Sequence, residues 1–235
     1  MRAQPNIRKL PPASMETTEL QLIGMLDSPY VRRVAIALLR LGLPFEHRPI
    51  SLFRQIEEFR AISPLLKAPT LIADDGSALV ESTLIIEYVE SLAPRAPRLT
   101  PGAPAARLKA YRLNGLALTV DEKAAQIHYE RHLRPPETQH EPWLARVRGQ
   151  LSAGLEALER ETAKTQNWLV DENLMLADIT VATAFAFTQA YTPDDAPTER
   201  YPTLASYWRR AEELPEFRAA PCKDGVKVAS PVTTV

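Results

Sequence analysis

The chain has 235 residues, 45% of them apolar and 24% charged, which is enough for a sizeable core in one large domain or two small ones. Its 28 basic and 29 acidic residues leave a net charge of -1, so it lacks the electrostatic footprint of a nucleic-acid or anionic-membrane binder. The single cysteine, Cys222, excludes an internal disulfide and points to a reducing, cytoplasmic setting. The longest apolar run, Val181 to Phe187, falls far short of the roughly 20 residues that a bilayer span needs.

Residues 1–18 carry basic groups but no apolar stretch behind them, so they do not form a secretory signal; their prolines and polar composition predict a flexible extension. From residue 19 to 93 the signals alternate. The run LQLIGML, Leu20 to Leu26, predicts a buried strand. Val31, Val34, Ala35, Leu38 and Leu39 then follow helical spacing, with Ser28-Pro29 before them and Gly42 and Pro44 as the stop. FEHRPIS predicts a second strand, and its Pro49 favours a sheet edge. A short helix is expected over 53–62, and residues 68–82 read as a hairpin around Asp74-Asp75-Gly76. A helix over 82–92 carries Leu84, Ile85, Tyr88, Val89 and Leu92 on one side. The order is β-α-β-α-β-β-α.

Residues 94–103 are Pro-rich and read as an interdomain linker. Strand signals then largely cease, and helical periodicity over 104–133, 140–164, 176–190 and 202–213 predicts an all-α unit spanning 104–222, followed by a tail at 223–235. A break is expected at Pro215. Trp143, Trp168 and Trp208 are expected to fill the core or helix contacts. His128 and His132, four apart on one helix face, lack a third ligand at suitable spacing, so no metal is assigned.

Four segments in this order and spacing, SPYVRRVAIAL, KAPTL, ESTLIIEYVE and LADITVA, resemble those of the cytosolic glutathione S-transferases, in a serine-type, bacterial-looking branch. The resemblance runs from about residue 20 to 220. It implies an α/β plus all-α fold, a thioredoxin-like domain followed by a helical one. It also implies glutathione as co-substrate without a metal, a small hydrophobic electrophile, and a homodimer acting in detoxification. Other outcomes of the same site are glutathione-dependent peroxide or disulfide reduction, isomerisation or dehalogenation; a non-catalytic scaffold on this fold is a further alternative.

From the residues alone, Ser28 is an N-cap with Pro29 at the first helical position. The same geometry suits catalysis, because a helix N-terminus carries about half a positive charge and lowers the pKa of a thiol placed there. The resemblance implies that Ser28 stabilises the glutathione thiolate, while a serine at this position excludes thiol exchange through a protein cysteine there. Ala68-Pro69 reads on its own as a trans proline at a strand start. The resemblance implies a cis-proline, with the Ala68 backbone pairing with the cysteinyl part of glutathione and Lys67 reaching the glycine carboxylate. Ser82 reads as an N-cap and Glu81 as an exposed acid. The resemblance assigns the γ-glutamyl carboxylate to Ser82 and the γ-glutamyl ammonium to Glu81.

Tyr30, Tyr111, Asn114 and Tyr129 are the candidates for the second-substrate pocket, and Arg33 matches an arginine of the family segment with a structural role expected. Asp178 sits where the family has the acid of a capping box, but Met175 replaces its hydroxyl partner, so a weakened cap and a folding role are expected.

Overall fold

The computed structural model describes residues 20–222; the extension expected at 1–18 and the tail at 223–235 lie outside the described residues. β1 (Leu20–Ile23) is apolar except for half-buried Gln21, as suits an inner strand of a four-stranded sheet. It runs parallel to β2 (Phe45–Arg48), with Leu22 opposite His47, and antiparallel to β3 (Thr70–Ile72), with Leu22 opposite Leu71. β3 forms the expected hairpin with β4 (Ala78–Val80), giving the order β2-β1-β3-β4. β2 is one of the two edge strands, as Pro49 suggested.

α1 (Pro29–Leu41) starts and stops where its punctuation predicts, ending on Gly42 in the left-handed region at φ 67°. Its single apolar stripe was an underestimate. The helix is wedged between the sheet with α3 (Ser82–Leu92) on one side and the helical domain on the other, so Arg32, Arg33, Ile36 and Ala37 are buried as well, while Leu39 is only half-buried. Arg32 uses this burial to tie the chain's end to α1. It grips Glu212 with two bonds of 2.7 and 2.6 Å, donates from Nε to the Ala220 carbonyl at 2.7 Å and lies over the Phe217 ring. Short α2 (Ile56–Ile62) buries Phe59. α3 buries Ser82, Ile85, Ile86 and Val89, so Leu84 (59% exposed) and Leu92 face outward, contrary to expectation; the row packed on α1 is offset by one position.

In the helical domain, α4 (Pro104–His132), α5 (Glu141–Thr162) and α6 (Leu176–Tyr191) share a core that includes Leu113, Val120, Val147, Leu155, Val181 and Phe185. α7 (Pro202–Glu212) completes it, and Pro215 opens a further short helix, α8 (Pro215–Ala219), where only a break was expected. Trp168 and Trp208 pack on this core, but Trp143 is 41% exposed on the first turn of α5 and fills none of it. The linker is pinned between the domains: Leu99 is buried, its N–H donates to Glu90 at 2.8 Å and its carbonyl accepts from Leu176 N–H at 2.8 Å.

Candidate active site

A cavity of about 700 Å³ opens between the two domains, and Ser28, Lys67, Ala68, Pro69, Glu81 and Ser82 all line it. The turn that delivers Ser28 is tightly built. Gly24 lies at φ 132°, and a Cβ on it would fall 2.7 Å from Val31 Cγ2 and 3.1 Å from Ala68 Cβ, so the chain leaving β1 packs directly on these two side chains with no room for one of its own. Ser28 then caps α1 only loosely, its Oγ accepting from Val31 N–H at 3.5 Å, the far limit of a hydrogen bond. The hydroxyl is therefore little committed to the helix and free to serve a group in the cavity.

The Ala68–Pro69 peptide is cis, and the loop before it is held by Thr70 Oγ1 donating to the Lys67 carbonyl at 2.8 Å. Lys67 is exposed at the cavity edge. At the start of α3 the two neighbours exchange their expected parts. Glu81, at a left-handed φ of 76°, is the N-cap, its carboxylate accepting from Thr83 N–H at 3.0 Å and Leu84 N–H at 3.4 Å. Ser82 is the first helical residue, buried, with its Oγ accepting from Arg33 Nη1 at 2.9 Å. A left-handed Glu81 costs backbone energy of about 1–3 kcal/mol, and it aims the carboxylate across the helix end.

The opposite wall comes from α1, α4 and α6. Tyr30, Tyr129 and Tyr191 line it with His128 and Phe187, and Phe53 meets the Tyr129 ring edge-on at 5.8 Å. Burial, with Asp121 and Glu122 adding to it, pushes the Tyr30 phenol well up, and burial with Asp27 does the same to Tyr129. Burial and then His132 hold His128 below its ordinary value. These rings give the wall an aromatic, largely apolar face. Asp27, directly before Ser28, accepts from the Tyr191 hydroxyl at 2.7 Å and joins this wall to the serine turn.

Two family models match the chain: residues 22–98 fit the glutathione S-transferase N-terminal domain and residues 123–215 the C-terminal domain. An Escherichia coli K12 protein described as an uncharacterized GST-like protein, YibF, is 30% identical over 167 residues, covering 70% of this chain and 77% of its own. The chain belongs to the glutathione S-transferase family. It is also similar to the maleylacetoacetate isomerase of Pseudomonas aeruginosa, at 29% identity over 80% of this chain and 85% of that one. A crystal structure of a glutathione S-transferase from Methylobacterium radiotolerans, in complex with glutathione sulfonate, superposes with a TM-score of 0.80 at 29% identity, covering 93% and 97% of the two chains.

Within this transferase, Tyr111 and Asn114 do not reach the Ser28 cavity. They line a second one of about 650 Å³ between α3 and α4, away from the cavity expected for them, whereas Tyr30 and Tyr129 line the Ser28 cavity. α4 is long enough for its first half to face α3 while its second half faces Ser28. His128 and His132 stack at 4.4 Å, and no group of three His, Cys, Asp or Glu among the described residues is arranged to hold a metal ion. Asp178 caps α6 more firmly than expected, taking Met175 N–H and Leu169 N–H at 2.7 Å each and the Tyr207 hydroxyl. Burial nonetheless raises its pKa. Asp27, Phe187 and Tyr191 escaped the sequence reading, as did buried Asp121. The last had a usable signal: it is an acid in register with Ala117, Val120 and Ala124 on the apolar face of α4.

Proposed function

We propose that this glutathione transferase ionises the thiol of glutathione against Ser28 and the positive end of α1, and presents it to a small hydrophobic electrophile on the aromatic wall. The observation that carries this reading is the loose 3.5 Å cap of Ser28 at the floor of the interdomain cavity. The tripeptide lies with its cysteinyl backbone along Ala68, its glycine carboxylate towards Lys67 and its γ-glutamyl head at Glu81 and Ser82, as an added strand would. A hydroxyl donating to the sulfur and the helix end together favour the thiolate, which then attacks the electrophile without a protein nucleophile. Cys222 fits this division of labour, since burial pushes its thiol pKa up.

A homodimer is part of the proposal: α3 and α4, the walls of the second cavity, present Leu84, Leu108 and Tyr111 to solvent. A cytoplasmic role in disposing of electrophiles agrees with the lone cysteine. No helix among the described residues is long and apolar enough to cross a membrane. The similarity to an isomerase favours glutathione-dependent cis–trans isomerisation as the second reading.

The test is the ultraviolet absorbance of bound glutathione thiolate against pH, for wild type and Ser28→Ala, with turnover measured on an aryl halide, an organic peroxide, a small disulfide and a cis-enone. Loss of a charge-assisted hydrogen bond of about 1.5–3 kcal/mol raises the thiol pKa and slows turnover roughly 10- to 150-fold in the variant. Identical titrations would mean that Ser28 is only a cap. A scaffold protein would leave immobilised glutathione unretained.

A further inference from the structure

Ser82 reads the γ-glutamyl carboxylate in the site proposed above, and its hydroxyl is set from behind. A guanidinium has donors and no acceptor, so in the 2.9 Å bond from Arg33 Nη1 the Ser82 oxygen must accept. The Ser82 proton is then left over, and among the described residues its one acceptor is Glu81 Oε1 at 3.5 Å, too far to hold it firmly. It is available to an oxygen in the cavity.

Arg33 is itself fully buried, and its other bonds go to Thr83 Oγ1 (from Nη1) and Thr180 Oγ1 (from Nε), both at 3.2 Å. Among the described residues its acceptors are therefore three neutral hydroxyls and no carboxylate, and Nη2 has no partner. The acid that acts on it most strongly is Asp121 of α4, also fully buried, whose two oxygens likewise lack partners. Burial pushes the Asp121 carboxyl well above the usual range, with Arg33 pulling it back, and burial lowers Arg33 to about 10. Arg33 is thus a cation at neutral pH, lodged behind the first turn of α3; the Glu81 carboxylate also favours its charge, but among the described residues no carboxylate is bonded to it. A buried charge without a bonded counter-ion favours any anion that arrives near it.

We propose that Arg33 is a positioning residue for the γ-glutamyl carboxylate of glutathione: it turns the Ser82 proton into the cavity and supplies the buried positive charge that the bound carboxylate neutralises. The inference rests on the glutathione reading of the site. Arg33 touches neither the thiol nor the electrophile, so its effect falls on co-substrate affinity and leaves the chemical step alone.

The test is a double-mutant cycle of Arg33→Lys and Ser82→Ala, read as KM and kcat for glutathione and for γ-aminobutyryl-cysteinyl-glycine, which lacks only the γ-glutamyl carboxylate. Lysine keeps the charge but presents one compact ammonium in place of the rigid fork whose Nε and Nη1 span the three hydroxyls. Arg33→Lys is expected to raise the glutathione KM about tenfold, with kcat nearly unchanged and the KM for the analogue unmoved. In the Ser82→Ala background the same change adds less than twofold. Equal losses on both thiols, or effects that simply add, overturn the proposal. Thr180→Val covers the case in which the arginine variant does not fold: it deletes the Nε acceptor and lines neither cavity, and it should raise the glutathione KM severalfold while sparing the analogue. An unchanged KM there also overturns it. A wild type that binds neither thiol refutes the glutathione reading itself. One that binds both equally refutes only the role given to Ser82 and Arg33.

Discussion

The starts of α6 and α1 each carry a side-chain oxygen that accepts from backbone N–H groups, reaching back from the third helical residue at α6 and forward from the N-cap at α1, and they end in opposite states. At α6 the Asp178 carboxylate is buried and saturated, with two backbone N–H donors at 2.7 Å and the Tyr207 hydroxyl. At α1 the Ser28 hydroxyl is half-buried, holds its amide at 3.5 Å and looks into a cavity. The start of α3 lies between them, with Glu81 holding two amides at 3.0 and 3.4 Å on the cavity rim. Where the fold depends on a helix start, its cap is closed to everything else; where a ligand must be met, the cap is left underused.

The largest effect should come from breaking the saturated cap. Asp178→Ala strands two buried amides and a tyrosine hydroxyl, and is expected to cost about 3–5 kcal/mol in chemical denaturation. Its folded fraction should still bind glutathione with wild-type affinity. Next comes the packing that delivers the open cap. Gly24→Ala places a Cβ 2.7 Å from Val31 at a left-handed φ, so a loss of roughly 1–3 kcal/mol is expected together with reduced turnover; wild-type turnover would show that the serine turn does not depend on this contact. Ser28→Ala completes the contrast, since a 3.5 Å cap contributes little: its stability should stay within about 0.5 kcal/mol of wild type while its turnover falls as described above.

The smallest effect concerns Asp121. Its carboxyl holds a proton more tightly in the folded chain than in the unfolded one, so its contribution to stability is full below the ordinary carboxylate pKa of about 4 and is lost as pH rises through its elevated value. Asp121→Asn has no such loss. Thermal midpoints of the two proteins should therefore diverge by a few degrees in the variant's favour as pH is raised from 4 towards neutrality and above. A difference that stays constant with pH would show that Asp121 is ionised in the fold.

Much of this was legible in the sequence. Ser28-Pro29 and Gly42 with Pro44 bracket α1, and Asp74-Asp75-Gly76 marks the hairpin, because each is a local backbone requirement met by few residue types. Lys67, Ala68, Pro69, Glu81 and Ser82, singled out from three separate segments, line one cavity with Ser28. What periodicity could not supply was facing. α1 is covered on two sides, so no stripe of apolar residues could reveal that Arg32 and Arg33 are buried. The cap at Glu81 instead of Ser82 depends on a left-handed backbone that few non-glycine residues adopt. Tyr111 and Tyr129 sit on one 29-residue helix, yet they front different cavities because α4 passes first α3 and then the serine turn.

The bond from Tyr191 to Asp27 bears on how this enzyme could be re-engineered. It couples the last residue of α6 to the residue before Ser28, so the reactive end of the sheet domain is registered against the helical one. A chimera that borrows another helical half to change substrate range would inherit a new electrophile wall and, at the same time, lose the tie that Tyr191 makes to its serine turn. Grafting is therefore safe only for donors whose sixth helix ends on a tyrosine.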